Sequence, residues 1–206
     1  MLAYIKGELT MKQTEYIVIE VGGLGYKVFM SAIAIDQIGK IGDMVKVYTY
    51  YRVKEDDISI FGFNTFEELR MFELLISVSG VGAKTAVTML GSIEPSAFAI
   101  AVIQNDISTL KQIPGIGLKS AQRIVLELKD KLKKEQQIAE LEVASGTKSK
   151  IKNAIIADNK ITEATTALQV LGYTKNDIDK AINQIDKTDI TLEEIIKQAL
   201  KILSSK

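Results

Sequence analysis

The 206-residue sequence contains no cysteine, no histidine and no tryptophan. Without cysteine it has no disulfide framework, thiolate nucleophile, zinc finger or iron–sulfur cluster. Without histidine it has no Ser–His or Cys–His dyad, and no imidazole to change charge near neutral pH. Any catalysis would rest on Asp, Glu, Lys, Tyr, Ser or Thr. No apolar run approaches the roughly 20 residues that span a bilayer. The first eight residues, Met1 to Glu8, carry no signal-peptide pattern. The expectation is a soluble cytoplasmic protein with no membrane contact.

Net charge is absent too. The 26 basic and 26 acidic residues cancel, and they cancel locally: 7 against 8 in residues 1–63, 9 against 8 in 64–137, 10 against 10 in 138–206. Phosphate binding is dominated by Lys and Arg, so bulk charge draws no nucleic acid to this chain. Binding would have to come from local geometry. What the sequence does have is apolar residues, 47% of the total, enough for one large core or two to three small ones.

Three segments follow three patterns. In residues 1–63, Tyr16 to Val21 and Tyr26 to Met30 are β-branched and aromatic runs joined by Gly22-Gly23-Leu24-Gly25, a hairpin signal. Val45 to Val53, Ile58 to Phe63 and Leu2 to Leu9 supply three more strands, and Ala32 to Ile38 a short helix before Gly39. Five short strands suit a small closed barrel, because closure removes exposed edges. From Thr65 the period becomes helical, with Phe66, Leu69, Phe72, Leu75 and Ile76 on one stripe. Ile138 to Lys160 reads as a flexible linker; as a coil it would span about 25 Å. Beyond it, Thr162 is expected to cap a helix ending at Leu171 with Gly172 after it. Thr174 or Asn176 starts a second helix, and Thr191-Leu192-Glu193-Glu194 forms a capping box for a third.

The middle segment repeats itself. Residues 75–86 match residues 110–121 at a constant offset of 35: leucine, then Gly-aliphatic-Gly, lysine, a hydroxyl and alanine coincide. Glycines allow a tight turn and close approach of backbone to another surface. A helix that begins right after such a turn points unpaired N–H groups and its positive dipole end outward. That is an anion site made of main chain, suited to a phosphate and needing little net charge. The candidates are Gly80, Val81, Gly82 and Lys84 in the first copy. In the second they are Gly115, Ile116, Gly117 and Lys119, with Arg123 one turn further on. A P-loop is excluded, since Ala83 stands where glycine must precede the lysine and the preceding segment is helical. Gly22 to Gly25 is no dinucleotide loop, since a strand follows it.

The duplicated turn matches the helix-hairpin-helix motif, and the whole chain resembles the RuvA family, the Holliday-junction-binding subunits of bacterial RuvAB branch-migration complexes. The resemblance is carried by Lys54 to Asp57 with Phe61-Gly62-Phe63-Asn64, by Ser79 to Lys84, and by Leu110 to Gly117. Tyr4-Ile5-Lys6-Gly7 and Ala167 to Tyr173 add to it. Leu118 departs from it, standing where many relatives carry lysine. The resemblance implies an α+β multidomain chain in four parts. Residues 1–63 form an OB-fold barrel at a tetramer centre, and 64–137 an all-α tandem helix-hairpin-helix domain. Residues 138–160 form the linker, and 161–206 a three-helix module. It further implies four-way junction DNA as ligand, a homotetramer or two tetramers stacked face to face, and the RuvB ATPase as partner. Glu55 and Asp56 would form an acidic pin, eight carboxylates per tetramer repelling phosphates within the ~8–10 Å that screening allows. Leu168, Leu171, Tyr173 and Leu200 are candidates for the contact with RuvB, although in so small a domain most such positions are expected in its own core.

No catalytic residue, metal or cofactor is expected; ATP is used by the partner motor. Three neighbouring carboxylates on one turn do not make a Mg²⁺ site, which needs several elements converging. Two rival readings remain. One is a helix-hairpin-helix base-excision enzyme, which the β segment disfavours. The other is a single-strand binder using Tyr48, Tyr50 and Phe61 on one barrel face.

Overall fold

The computed structural model describes residues 2–143, 157–186 and 190–204, with side chains described outside 131–159. The chain divides into two compact units, Met1–Ile76 with Gly82–Glu94, and Ser77–Val81 with Pro95–Lys206.

The first unit is built on strands β1 (Tyr4–Lys12), β2 (Tyr16–Val21), β3 (Leu24–Phe29), β4 (Met44–Val53) and β5 (Ile58–Phe63). They close a barrel in the order β1-β2-β3-β5-β4. All pairs are antiparallel except β3–β5, where Val28 faces Ile60 and Phe29 faces Phe61. Alternation does the sorting: Ile5, Leu9, Ile17, Ile19, Val28, Val45 and Val47 point inward and are buried. β1 runs three residues beyond the expected Leu9. A register shift between Leu9 and Met11 lets it serve two neighbours, with Leu9 opposite Ile19 and Met11 opposite Val18. Gly7 is obligatory where β1 crosses β2, since a Cβ there would lie 2.2 Å from the Glu20 carbonyl oxygen. One end of the barrel is plugged by α1 (Ala32–Gln37), whose Ala34 and Ile35 enter the core. Its N-cap Ser31 accepts from the Ala34 amide at 3.2 Å.

Helix α2 (Phe66–Ile76) packs on the outside of β4 and β5. Phe72 is its anchor, with ring centroids 5.2, 5.4 and 4.9 Å from Tyr50, Phe61 and Phe63. Tyr48 meets Phe66 edge-on at 5.9 Å. Thr65 and Glu68 form a capping box: the Glu68 amide donates to Thr65 Oγ1, and Glu68 Oε2 accepts from the Asn64 amide at 2.8 Å. Burial pushes the Glu68 carboxyl above its ordinary value, and these hydrogen bonds oppose the shift. Helix α3 (Ala83–Leu90) lies against α2. Because α2 joins the barrel and α3 joins α2, the division between units runs through the first helical turn motif.

The second unit holds α4 (Pro95–Ile103), α5 (Ile107–Lys111), α6 (Leu118–Val143), α7 (Ala157–Val170), α8 (Lys175–Ile182) and α9 (Leu192–Ser204). α4 has no exposed residue, since α5 and α6 cover it together with α7 and α9. Asp106 caps α5, accepting from the Thr109 hydroxyl and from the Thr109 amide at 3.0 Å, and these hydrogen bonds, the hydroxyl's first, hold its carboxyl below the ordinary value. The linker reading of residues 138–160 needs correction at both ends. α6 continues to Val143 and α7 opens at Ala157, because residues 135–143 are mostly Glu, Gln, Ala and Leu, strong helix formers. Residues 144–156 lie outside the described part. Thr162 is therefore no cap but an interior helical residue, its carbonyl accepting from the Thr166 hydroxyl at 2.8 Å.

Thr174 does cap α8, accepting from the Asp177 amide. The Thr191 box closes as expected, with the Glu194 amide donating to Thr191 Oγ1 at 3.2 Å and the Thr191 amide to Glu194 Oε2 at 2.9 Å. At the end of α7, Gly172 takes φ +81°. Its amide reaches the Gln169 carbonyl, and the Tyr173 amide the Leu168 carbonyl, the paired bonds of a Schellman cap.

Candidate nucleic-acid interface

The repeat seen in the sequence is repeated in hydrogen bonds. In the first turn the Val81 amide donates to the Val78 carbonyl at 3.1 Å, and in the second Ile116 donates to Ile113 at 3.1 Å. Gly80 and Gly115 take φ of +85° and +82°, a conformation that side chains strain. The first intrahelical bonds then run from Ala86 to the Gly82 carbonyl and from Ala121 to the Gly117 carbonyl, both at 2.9 Å. The amides of Ala83, Lys84 and Thr85 precede the first of these donors, and those of Leu118, Lys119 and Ser120 the second. They have no acceptor within their own helix, and the helix dipole adds positive potential there.

Burial repeats as well. Val78, Val81, Ile113 and Ile116 are buried, whereas Gly80, Gly82, Gly115 and Gly117 are at the surface. Val81 and Ile116 therefore act as pegs: their side chains enter the core and their amides are engaged within the turn. Lys84 and Lys119 are exposed, each in the first turn of its helix. Leu118 beside Lys119 is also exposed, at 49%. Arg123 does not stand free, for its Nη1 donates to the Ser79 carbonyl at 3.3 Å. Glu127, whose carboxylate accepts from the Ser79 amide at 3.0 Å, was not among the sequence's candidate residues. The only signal there was the spacing of four between Arg123 and Glu127.

The second glycine of each turn is the informative one. Gly82 has φ −87°, Gly117 is not among the positive-φ glycines, and a Cβ on either would meet nothing within 4 Å. Neither strain nor crowding inside the chain calls for glycine there. A bare backbone at an unobstructed helix start fits an outside surface that must come very close.

The acidic tip lies between β4 and β5. The Lys54 amide donates to the Asp57 carbonyl at 2.8 Å, and Asp57 Oδ2 accepts from the Ser59 hydroxyl at 2.6 Å. Asp57 thus serves its own hairpin, while Glu55 and Asp56 extend into solvent at the apex. Among the described residues no group of His, Cys, Asp and Glu is arranged to hold a metal ion. Tyr48, Tyr50 and Phe61 do not form a stacking platform: Phe61 is 5% exposed, Tyr50 and Phe61 pack on Phe72, and Tyr48 packs on Phe66. In the C-terminal module Leu168 and Leu171 are fully buried and Leu200 is 8% exposed. Of the four candidates only Tyr173, half-buried at the Schellman cap, keeps a surface.

Three family models match along the chain: the RuvA N-terminal domain at residues 1–62, a SAM-like helix-hairpin-helix tandem at 72–130, and the RuvA C-terminal domain at 159–204. Curated relatives are similar over nearly their entire lengths. A protein of Acetivibrio thermocellus named Holliday junction branch migration complex subunit RuvA is 49% identical over 205 residues, covering 99% of each chain. The chain belongs to the RuvA family. Proteins of the same name from Ruminiclostridium cellulolyticum and Clostridium botulinum are 43% and 41% identical. Each alignment covers 98% of this chain, and 100% and 99% of the relative. The tandem model spans both glycine turns, so the hydrogen-bond repeat lies inside the region it matches. Neither rival reading is favoured by these matches. Among the described residues no single helix is long and apolar enough to cross a membrane.

Proposed function

We propose that this chain is the junction-binding subunit of a branch-migration complex, without a catalytic site or cofactor of its own. Its two glycine turns grip sugar–phosphate backbone through main-chain amides, with Lys84 and Lys119 adding charge-assisted contacts. Four copies around one axis hold the arms of a four-way junction, singly or as two face-to-face tetramers, in the cytoplasm. Glu55 and Asp56 stand at the crossover as the acidic pin and keep it open. The C-terminal module recruits the RuvB ATPase, which consumes the ATP. With Leu168, Leu171 and Leu200 buried, that contact falls to the module's outer surface, Tyr173 included.

The observation that carries the reading is the duplicated helix start: twice, at one spacing, a surface glycine with no internal purpose precedes three amides without intrahelical acceptors. This also answers the zero net charge, because the positive potential comes from backbone dipoles. The test is a comparison of affinity for a four-way junction, a linear duplex and a single strand at one salt concentration. The reading predicts junction over duplex over single strand, and a loss for all duplex-containing ligands in Lys84→Ala/Lys119→Ala. Equal affinity for the junction and the single strand would overturn it.

A further inference from the structure

The two turns are not stiffened in the same way. At the offset of 35, Ser79 corresponds to Pro114. Proline fixes φ through its ring and has no amide to satisfy, so the second turn is rigid by covalent structure just before Gly115. The first turn lacks that ring. Instead the Ser79 amide donates to Glu127 Oε2 at 3.0 Å and the Ser79 carbonyl accepts from Arg123 Nη1 at 3.3 Å. Both polar main-chain groups of the residue before Gly80 are thus held from α6. Arg123 and Glu127 are four residues apart and project from one side of that helix. A Cβ on Gly80 would lie 3.4 Å from Arg123 Nη1, so the guanidinium closes over the bend as well.

We propose that Glu127 and Arg123 are positioning residues that do for the first turn what Pro114 does for the second. They fix the Ser79–Gly80 peptide against the helix that begins at the second turn. The two bends then meet a phosphate backbone already ordered, and binding does not have to supply the cost of ordering them. Glu127 has no place in a phosphate contact on its own account, since its charge opposes one; its role is the amide it holds. The functional half of this inference rests on the DNA-binding reading above.

The test uses full-length protein with Glu127→Ala, Glu127→Gln and the double variant Ser79→Pro/Glu127→Ala. Amide hydrogen exchange is measured without DNA, and affinity is measured on a four-way junction. In Glu127→Ala, exchange at Ser79 should rise about tenfold. Junction affinity should fall about tenfold, the scale of one hydrogen bond to a charged group, with the thermal midpoint within a few degrees of wild type. Glutamine still offers a carbonyl oxygen to the Ser79 amide and should restore both, and proline at 79 should restore affinity. Unchanged exchange at Ser79 in Glu127→Ala, or a glutamine variant as weak as the alanine one, overturns the proposal. Wild-type protein that ignores the junction overturns the DNA-binding reading instead, while the exchange comparison still decides whether Glu127 holds the turn.

Discussion

Each turn contains two glycines with different reasons for being there. Gly80 and Gly115 answer to φ, Gly82 and Gly117 to whatever approaches from outside. The distinction is measurable. Gly80→Ala and Gly115→Ala should each destabilise the fold by about 1 kcal/mol or more, because alanine is strained at positive φ. Gly82→Ala and Gly117→Ala should leave the denaturation midpoint within about 0.5 kcal/mol of wild type and still weaken junction binding several-fold. A large stability loss at Gly82 would show that the glycine is structural. The acidic apex is a second residue-scale case. With Asp57 tied to Ser59, only Glu55 and Asp56 face outward, so Glu55→Lys/Asp56→Lys should retain or raise duplex affinity while changing the geometry of the bound junction. Fluorescence transfer between labelled arms reads that geometry, and an unchanged arm arrangement would remove the pin argument.

Helix starts decide much of this molecule, and they were legible to different degrees. The Thr191 box and Thr174 cap stand in the sequence as short-range patterns, and both form. Thr162 misled, because a threonine looks like a cap wherever the upstream residues are unfamiliar as helix, and α7 began five residues earlier. The boxes also carry a pH signature of opposite signs. Hydrogen bonds from Thr191 hold Glu194 below its ordinary value, so they stabilise the fold at neutral pH and lose that contribution as pH falls through the folded-state value. Glu68 runs the other way: burial raises it, so its ionisation opposes folding as pH rises past its unfolded value. Thr191→Ala should destabilise the fold more near neutral pH than in acid, where Glu194 is protonated and the hydroxyl has lost its carboxylate partner but still caps the Glu194 amide. Melting curves taken from neutral pH downward check this; a constant deficit across the range would contradict it.

For the whole molecule, the sequence announced its repeats and concealed its long-range ties. Barrel strands and duplicated turns could be read because alternation and offset are local patterns. The clamp of Glu127 on Ser79 spans 48 residues and joins a side chain to a main-chain amide, which leaves no pattern to read. The surface of the tail was equally hidden: Leu168, Leu171 and Leu200, the apolar positions that could have faced a partner, are buried. The tail also has a structural part, since α7 and α9 help to cover α4. Removing residues 145–206 should therefore preserve junction binding and abolish motor-driven branch migration, and it should also lower the thermal midpoint by uncovering α4. A truncated chain that still supports migration would contradict the assignment of the tail.

Zero net charge makes the central claim unusually exposed, because no diffuse electrostatics stand behind it. Amide chemical shifts of the full-length protein, recorded before and after addition of a four-way junction, test it most directly. The account predicts that the largest changes fall on Ala83, Lys84 and Thr85 and on Leu118, Lys119 and Ser120, with little on the outer barrel strands. Changes concentrated on the barrel, with both helix starts unmoved, would contradict it.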